Sequence, residues 1–597
     1  MSFKKSQLYP CNPATTRGES TRISSSKDKI AYTNGRTVII RDLKNPAAVA
    51  SYAGHVQNAT VAKISPTGYY CASGDASGTV RVWDLVGEDQ SLKGEYRVIG
   101  GRIKDLEWDG ESKRIIAVGD GRDKFGHAFM VDTGSSTGSI IGHSKTVNAV
   151  AIRAQRPYRA ATGGDDGTIV FHSGPPYKYE KTIKTHTKFV QDVRYAPSGD
   201  HFASVGTDSK IFIYDGKTGD TVAEVTDSPH TGSIMALSWK ADSQSFVTSS
   251  ADRTVKLWDV ESRKAVTTWT LGKAVDLQQV GNTWTEGDDI VSLSLNGDLN
   301  IFDKRVGDKP ARVLHAPPRA ITALAPTSSS GTFIAGLADG RVLSFSGSEY
   351  KYADGPGHSN LVVGITSAPD GKVFSAGYDD QIRELSPETV SFVQASCPTA
   401  TQPKSLAVAG DSTLFVAETD LVEAIRSNQK VYEVKPSFSP SAVAATGSTV
   451  AIGGEDQKVH LYGWDGKSLS EVATLEGNKG AISALAFSPD GSRLAAGDSS
   501  GKIALYDVIE RKFIQSRWSF HSGRILSLAW TADGKHCASG SLDTHVYVYS
   551  VAKPGSAIGI RNAAAGNVNS VFWVGDSKLA SAGADGCVRV WEITFHA

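Results

Sequence analysis

The sequence predicts an all-β protein built as two tandem seven-bladed β-propellers. Three observations lead there. Short runs such as TVRVWD, TVKLWD and KIALYD alternate apolar and polar residues between clusters of Gly, Ser and Asp, the pattern of half-buried strands joined by tight turns. A turn residue and an aromatic recur six positions apart along most of the chain. Counted along the repeat, third-strand endings number fourteen, whereas one ring closes with about four to eight blades.

The fourteen endings fall near Asp42, Asp84, Asp132, Phe171, Asp215, Asp259, Asp303, Phe345, Leu385, Arg426, Tyr462, Asp507, Tyr549 and Trp591. Two rings of seven divide near residues 305–320, giving an N-terminal propeller over 1–310 and a C-terminal one over 311–597. Blades one, three and ten depart furthest from the pattern. The chain stops five residues past Glu592, too soon for a fourth strand in the last blade. An open sheet edge is an aggregation liability, so another segment is expected to complete it. Ser6–Tyr9 and Ala311–Leu314 are the two candidates for ring closure, and sequence leaves open which serves which ring.

The repeat also has a chemistry. Asp252 precedes Trp258 by six residues, as do Asp208 to Tyr214, Asp339 to Phe345, Asp456 to Tyr462, Asp543 to Tyr549 and Asp585 to Trp591. Ser77 to Trp83, Asn296 to Phe302 and Ser500 to Tyr506 keep the spacing with the acid replaced. A hydroxyl lies four residues before the turn residue at Ser73, Ser204, Thr248, Ser292, Ser375, Ser539 and Ser581, and a histidine stands upstream at His55, His186, His230, His358 and His521. Between them come turn signals such as Ala196-Pro-Ser-Gly and Ser488-Pro-Asp-Gly. This arrangement resembles the WD repeat, one four-stranded blade per ~40–45 residues. The resemblance implies a buried network in each blade: the turn Asp accepts from the His, the His bonds the hydroxyl, and the hydroxyl bonds a Trp N–H or Tyr O–H, which Phe cannot supply. The expected structural members include His55, His186, Ser204, Asp208, His230, Asp252, Trp258, His521, Ser539, Asp543, Asp585 and Trp591.

Composition narrows the function. Lys+Arg and Asp+Glu are 63 each, so there is no basic excess to mark a nucleic-acid or anionic-membrane binder. The five cysteines are scattered and include no C-x-x-C pair, which argues against a disulfide framework or zinc site. MSFKKSQLYP lacks the apolar core of a secretory signal, and no run approaches a membrane span. The expectation is a cytoplasmic monomer that binds no nucleic acid, does not insert into membranes, and carries neither metal nor cofactor. Catalytic motifs fare no better. Gly134-Ser-Ser-Thr-Gly138 matches G-x-S-x-G but joins two strands with no helix to follow. Gly497-Asp-Ser-Ser-Gly-Lys502 is one residue short of a phosphate loop and lacks its hydroxyl. Asp165-Asp166 and Asp379-Asp380 each contain a blade-turn position. No catalytic residue is assigned, and a protein-binding role is expected instead.

The His and turn Asp of a blade touch, so their loops share a face, and departures from the repeat on that face point to a partner. Residues 115–197 carry most of them: a charged turn over Asp120–Lys124, Asp165 beside the structural Asp166, two aromatics in Pro175-Pro-Tyr-Lys-Tyr179, and Phe189 just after His186. Aromatics ringed by charge suit a protein-binding hot spot; packing of Tyr179 and Phe189 between blades is the competing reading. The segments VGDGRDKFGH, RPYRAATGGDDGTIVFHSGPPYKY and HTKFVQDVRYAPSG resemble the actin-interacting protein 1 family, WD-repeat cofactors of ADF/cofilin. Weaker matches run to SGSLDTHVYVYSVAKP, so the likeness spans nearly the whole chain. It implies binding of cofilin-decorated actin filaments, promotion of severing and disassembly, and barbed-end capping, at the actin cytoskeleton. It also implies a partner surface at Asp123, Asp165, Tyr179 and Phe189, where members can carry Glu for Asp123 and Phe for the tyrosines. The alternative is a general scaffold for a ribosome-assembly or ubiquitin-ligase complex with no actin role.

Overall fold

The computed structural model describes residues 2–87, 90–122, 124–305, 307–327, 331–347 and 349–595. Among them the chain is all β apart from one 3-10 turn, Val275–Leu277. It forms fourteen four-stranded antiparallel sheets and divides into two compact units, 12–318 and 1–11 with 319–597. Sheets one to seven occupy 24–52, 59–97, 103–139, 147–183, 190–224, 234–270 and 279–314. Sheets eight to thirteen occupy 321–352, 362–398, 403–434, 440–475, 482–518 and 525–560. Sheet fourteen joins 568–594 to Ser2–Tyr9.

Local chemistry explains these elements. Strands such as Thr254–Asp259 bury their alternate apolar residues, and an Asp at the end turns the chain. The Asp259 carboxylate accepts from the Ser262 N–H at 2.8 Å, and Asp215 does the same for Lys217 and Thr218. The Pro-x-Gly signals become tight turns: the Gly199 N–H donates to Ala196 O at 2.8 Å with φ of +74°, a conformation glycine adopts without penalty.

Neighbouring sheets pack face to face through clusters of aliphatic and aromatic side chains. Phe202 stacks on Tyr214 at 4.6 Å within sheet five and on Phe171 of sheet four at 6.0 Å. The second residue of many first strands also ties its sheet to the next. Thr60 donates to Ile103 O, Asn148 to Val190 O, Thr322 to Val362 O, Ser441 to Ile482 O and Ser483 to Ile525 O, at 2.6–3.0 Å. Asn569 of sheet fourteen donates to Ile321 O of sheet eight at 2.7 Å. In the other unit, Ser25 in the first strand of sheet one bonds Thr283 and Trp284 O of sheet seven. Each such bond satisfies a carbonyl that would be costly to leave bare between packed sheets.

The chain ends differ from the 310/311 division expected from sequence. Arg312–Leu314 is the fourth strand of sheet seven, pairing with Leu299–Ile301. Ser2–Tyr9 is the outer strand of sheet fourteen, with Ser2 opposite Thr594 and Tyr9 opposite Val588. Tyr9 then buries its ring against Phe333, Phe345 and Tyr350 of sheet eight.

Candidate protein-binding face

Each loop that carries a blade histidine meets the turn that carries its acid. In sheet six His230 Nδ1 lies 2.9 Å from Asp252 and Nε2 2.8 Å from Thr248 Oγ1, which also accepts the Trp258 N–H at 2.8 Å. In sheet five His186 bonds Asp208 and Ser204, and Ser204 meets the Tyr214 hydroxyl at 3.0 Å. In sheet thirteen His521 bonds Asp543 and Ser539. Burial works to raise the Asp252 carboxyl, but the bonds from His230, Thr254 and Thr231 hold it well below the usual carboxylate range. The same burial pushes His230 down, against the pull of Asp252, and so favours its neutral ring.

Three networks differ from the sequence expectation. His55 pairs with Asp75, not with the turn residue at 77; Ser77 donates to Asp75 at 2.6 Å. Sheet twelve repeats this, with Ser500 donating to Asp498 and Asn478 standing where other sheets have histidine. The shared pattern Asp-x-Ser-Gly at 75–78 and 498–501 is the signal that would have located both acids. Asp585 has no histidine; Arg589, buried beside it at 2.6 Å, takes that place, while Trp591 donates to Ser581 at 2.8 Å. Sheet four holds a network that the spacing of Gly142-His143 matches but that went unassigned: His143 bonds Asp166 and Thr162, and His172 bonds Thr162 from the Trp position.

The candidate partner residues sit beside these networks. The Asp165 N–H donates to Thr146 O, and its carboxylate accepts from Asn148 Nδ2 at 2.7 Å. Asn148 O in turn accepts from Arg22, which is buried and paired with Asp192 at 2.8 Å. Asp165 is therefore held in place from behind by a fixed chain of bonds. Phe189 stands one residue before the first strand of sheet five, its carbonyl tied to the Thr207 N–H and its ring 45% exposed. Tyr179 is also 45% exposed; its hydroxyl meets Thr182 at 3.1 Å and its ring lies over Gly142, where a Cβ would fall 2.8 Å from a ring carbon. Tyr177, the other aromatic of the loop, is 2% exposed and packs between sheets three and four. Asp123 lies outside the described residues. Asp120, in the same turn, is exposed and accepts from Thr146 at 3.2 Å. All five cysteines are buried thiols outside any disulfide. Among the described residues no group of three or more His, Cys, Asp or Glu is placed to hold a metal, and no helix is long and apolar enough to cross a membrane.

The WD domain, G-beta repeat family matches residues 47–84, 134–173, 177–215, 223–259 and 558–592, and the Vps8 beta-propeller family matches 427–564. The chain is 38% identical to actin-interacting protein 1 of Drosophila melanogaster, over 88% of this chain and 87% of that one. The chain belongs to the actin-interacting protein 1 family. WD repeat-containing protein 1 of Gallus gallus is 38% identical over 85% of each chain. A WD repeat-containing protein of Schizosaccharomyces pombe is 40% identical over the full length of both. This chain is thus an all-β WD-repeat β-propeller protein of the actin-interacting protein 1 family. The five WD matches fall where Ser or Thr is bonded by a Trp, Tyr or His at the end of the third strand, in sheets two, four, five, six and fourteen.

Proposed function

We propose that each unit is a closed seven-bladed propeller, and that the protein binds cofilin-decorated actin filaments through the first. Binding promotes severing and disassembly and caps barbed ends. The observation that carries the reading is the identity to actin-interacting protein 1 over most of both chains. The geometry supports it: Asp165, Phe189 and Tyr179 rise from sheets four and five, two half-exposed aromatics and an acid held from behind. Asp123 belongs to the same proposed surface. In this mechanism the acids meet basic groups and the rings fill apolar pockets on the filament. Docking favours the filament state that cofilin distorts, and only such a difference in affinity shifts the filament toward breakage. The protein acts as a monomer in the cytoplasm, without catalysis.

Co-sedimentation with actin filaments, with and without cofilin, tests this. The expected result is cofilin-dependent binding and more actin released to the supernatant than cofilin alone releases. A protein that ignores filaments in both conditions overturns the reading and leaves a scaffold for another complex.

A further inference from the structure

One backbone hydrogen bond recurs around both units and sets equivalent positions on their sheets. The residue just past the second strand donates its N–H to the carbonyl of the residue just before the first. In the first unit this is Asp165 to Thr146, Thr207 to Phe189 and Ala251 to Ser233. In the second it is Ala338 to Ala320, Tyr378 to Leu361, Leu542 to Arg524 and Ala584 to Asn567. Tyr378 and Leu542 thus hold the position of Asp165, and Leu361 and Arg524 that of Phe189.

These four residues do not repeat a neutral pattern. Sheet nine supplies Leu361, Val363 and Tyr378; sheet thirteen supplies Arg524, Leu526 and Leu542. Sheets eight and fourteen, which pack between them, present Ala320, Ala338, Asn567 and Ala584 at the same positions. Leu361, Val363, Tyr378 and Leu526 bring apolar bulk to an opening of about 620 Å³ that residues of all seven sheets of the second unit line. Tyr378, which lines the opening, is 41% exposed, and an exposed ring beside further apolar side chains marks a binding surface. Val363 and Leu526 stand where Thr322, Ser441 and Ser483 tie one sheet to the next, so these two apolar residues forgo that bond. The charge is also uneven. Lys404 is paired with Glu455 at 3.3 Å, whereas the exposed Arg524 guanidinium has no side-chain partner among the described residues.

We propose that this opening in the second unit is a docking site for an extended polypeptide segment that presents a carboxylate beside an aliphatic or aromatic side chain. The carboxylate pairs with Arg524, which can accept it in bidentate fashion. The apolar side chain sits between Leu361, Val363, Tyr378 and Leu526. The side-chain oxygen of Asn567, at the same opening, accepts from the segment's backbone N–H. The site stands apart from the filament-binding surface proposed above and does not depend on it.

The test is selection from a random-peptide display library on the full-length protein, without actin or cofilin. The expected winners carry Asp or Glu within two positions of Leu, Ile, Val or Phe. Arg524→Glu should weaken the strongest winner about tenfold or more and redirect fresh selections toward Lys and Arg. Leu526→Ser and Tyr378→Ala should weaken the same winner with the unfolding midpoint unchanged. No enrichment, or winners indifferent to Arg524→Glu and Leu526→Ser, overturns the proposal. Co-sedimentation of Arg524→Glu with cofilin-decorated filaments reads the other surface separately.

Discussion

Thr248→Val isolates what the buried network contributes. The bonds around Thr248 have one consistent direction. Asp252 is a carboxylate, so His230 donates from Nδ1 and accepts at Nε2. The Thr248 hydroxyl must then donate to His230 and accept the Trp258 N–H. Valine matches threonine in shape, so no cavity opens, but the indole N–H and the imidazole Nε2 lose their partners. Thr248 and Trp258 are fully buried and His230 nearly so, which keeps water from replacing the hydroxyl. At about 1–3 kcal/mol for each stranded group, the cost is about 2–6 kcal/mol. Thr248→Ser is the control, because it keeps the hydroxyl and removes one methyl, for about 1 kcal/mol. Four other sheets bond their histidine to a serine at this point: Ser73, Ser204, Ser375 and Ser539. Urea unfolding followed by circular dichroism reads the difference, fitted as separate transitions because the chain has two units. A Thr248→Val protein as stable as Thr248→Ser refutes the reasoning.

Other perturbations have equally definite outcomes. Tyr179→Ala and Phe189→Ala should each cost about 1–3 kcal/mol of filament binding in the presence of cofilin, with unfolding unchanged because both rings are half exposed. Deleting residues 2–9 exposes the edge of sheet fourteen, so it should lower the transition of the second unit and leave the one sensitive to Thr248→Val in place. Ser483→Ala removes the tie to Ile525 O and should lower stability by about 1 kcal/mol in the same urea assay. Glu418 is raised to about 8, chiefly by burial and then by the neighbouring Glu423, against the opposing hydrogen bond from the Thr401 N–H. The folded protein therefore holds a proton that the unfolded chain has released. That contribution is complete below about pH 4.5 and is lost as pH rises toward 8, at about 1.4 kcal/mol per pH unit within the window. Urea midpoints measured from pH 5 to 9 should show the decline, and Glu418→Gln should flatten it.

The sequence made most of this molecule readable for a physical reason. His186, Ser204, Asp208 and Tyr214 each supply a donor or acceptor that few side chains replace, and the strand lengths between them fix their spacing. Asp75 and Asp498 escaped because a carboxylate two residues earlier reaches the same histidine or asparagine from the end of a strand. Tyr177 and Tyr179 share a parity that suggests one face. Tyr177, however, precedes the strand Lys178–Ile183 and turns inward from the loop, where alternation does not apply. The partner of Ser2–Tyr9 was beyond any local pattern, because Ser6 bonds Val590 across 584 residues of sequence. Asp165, Phe189 and Tyr179 were named through family resemblance more than through spacing, and the geometry adds what holds Asp165 and exposes the rings.

The far-reaching outer strand of sheet fourteen also sets an order on biosynthesis. Residues 2–9 are made before every other described strand, yet the strand that receives them is the last of those strands in chain order. The unit spanning 12–318 is complete long before that and can fold while translation continues, as domains generally do. It is, in effect, a whole domain inserted between Cys11 and Arg319 of another. Its folding shortens the effective tether between the two segments of the second unit, from some three hundred flexible residues to the distance between its own entry and exit. Throughout elongation the leading strand has no partner, and its exposed lysines, Lys4 and Lys5, are the kind of residue that discourages an unpaired strand from joining another chain.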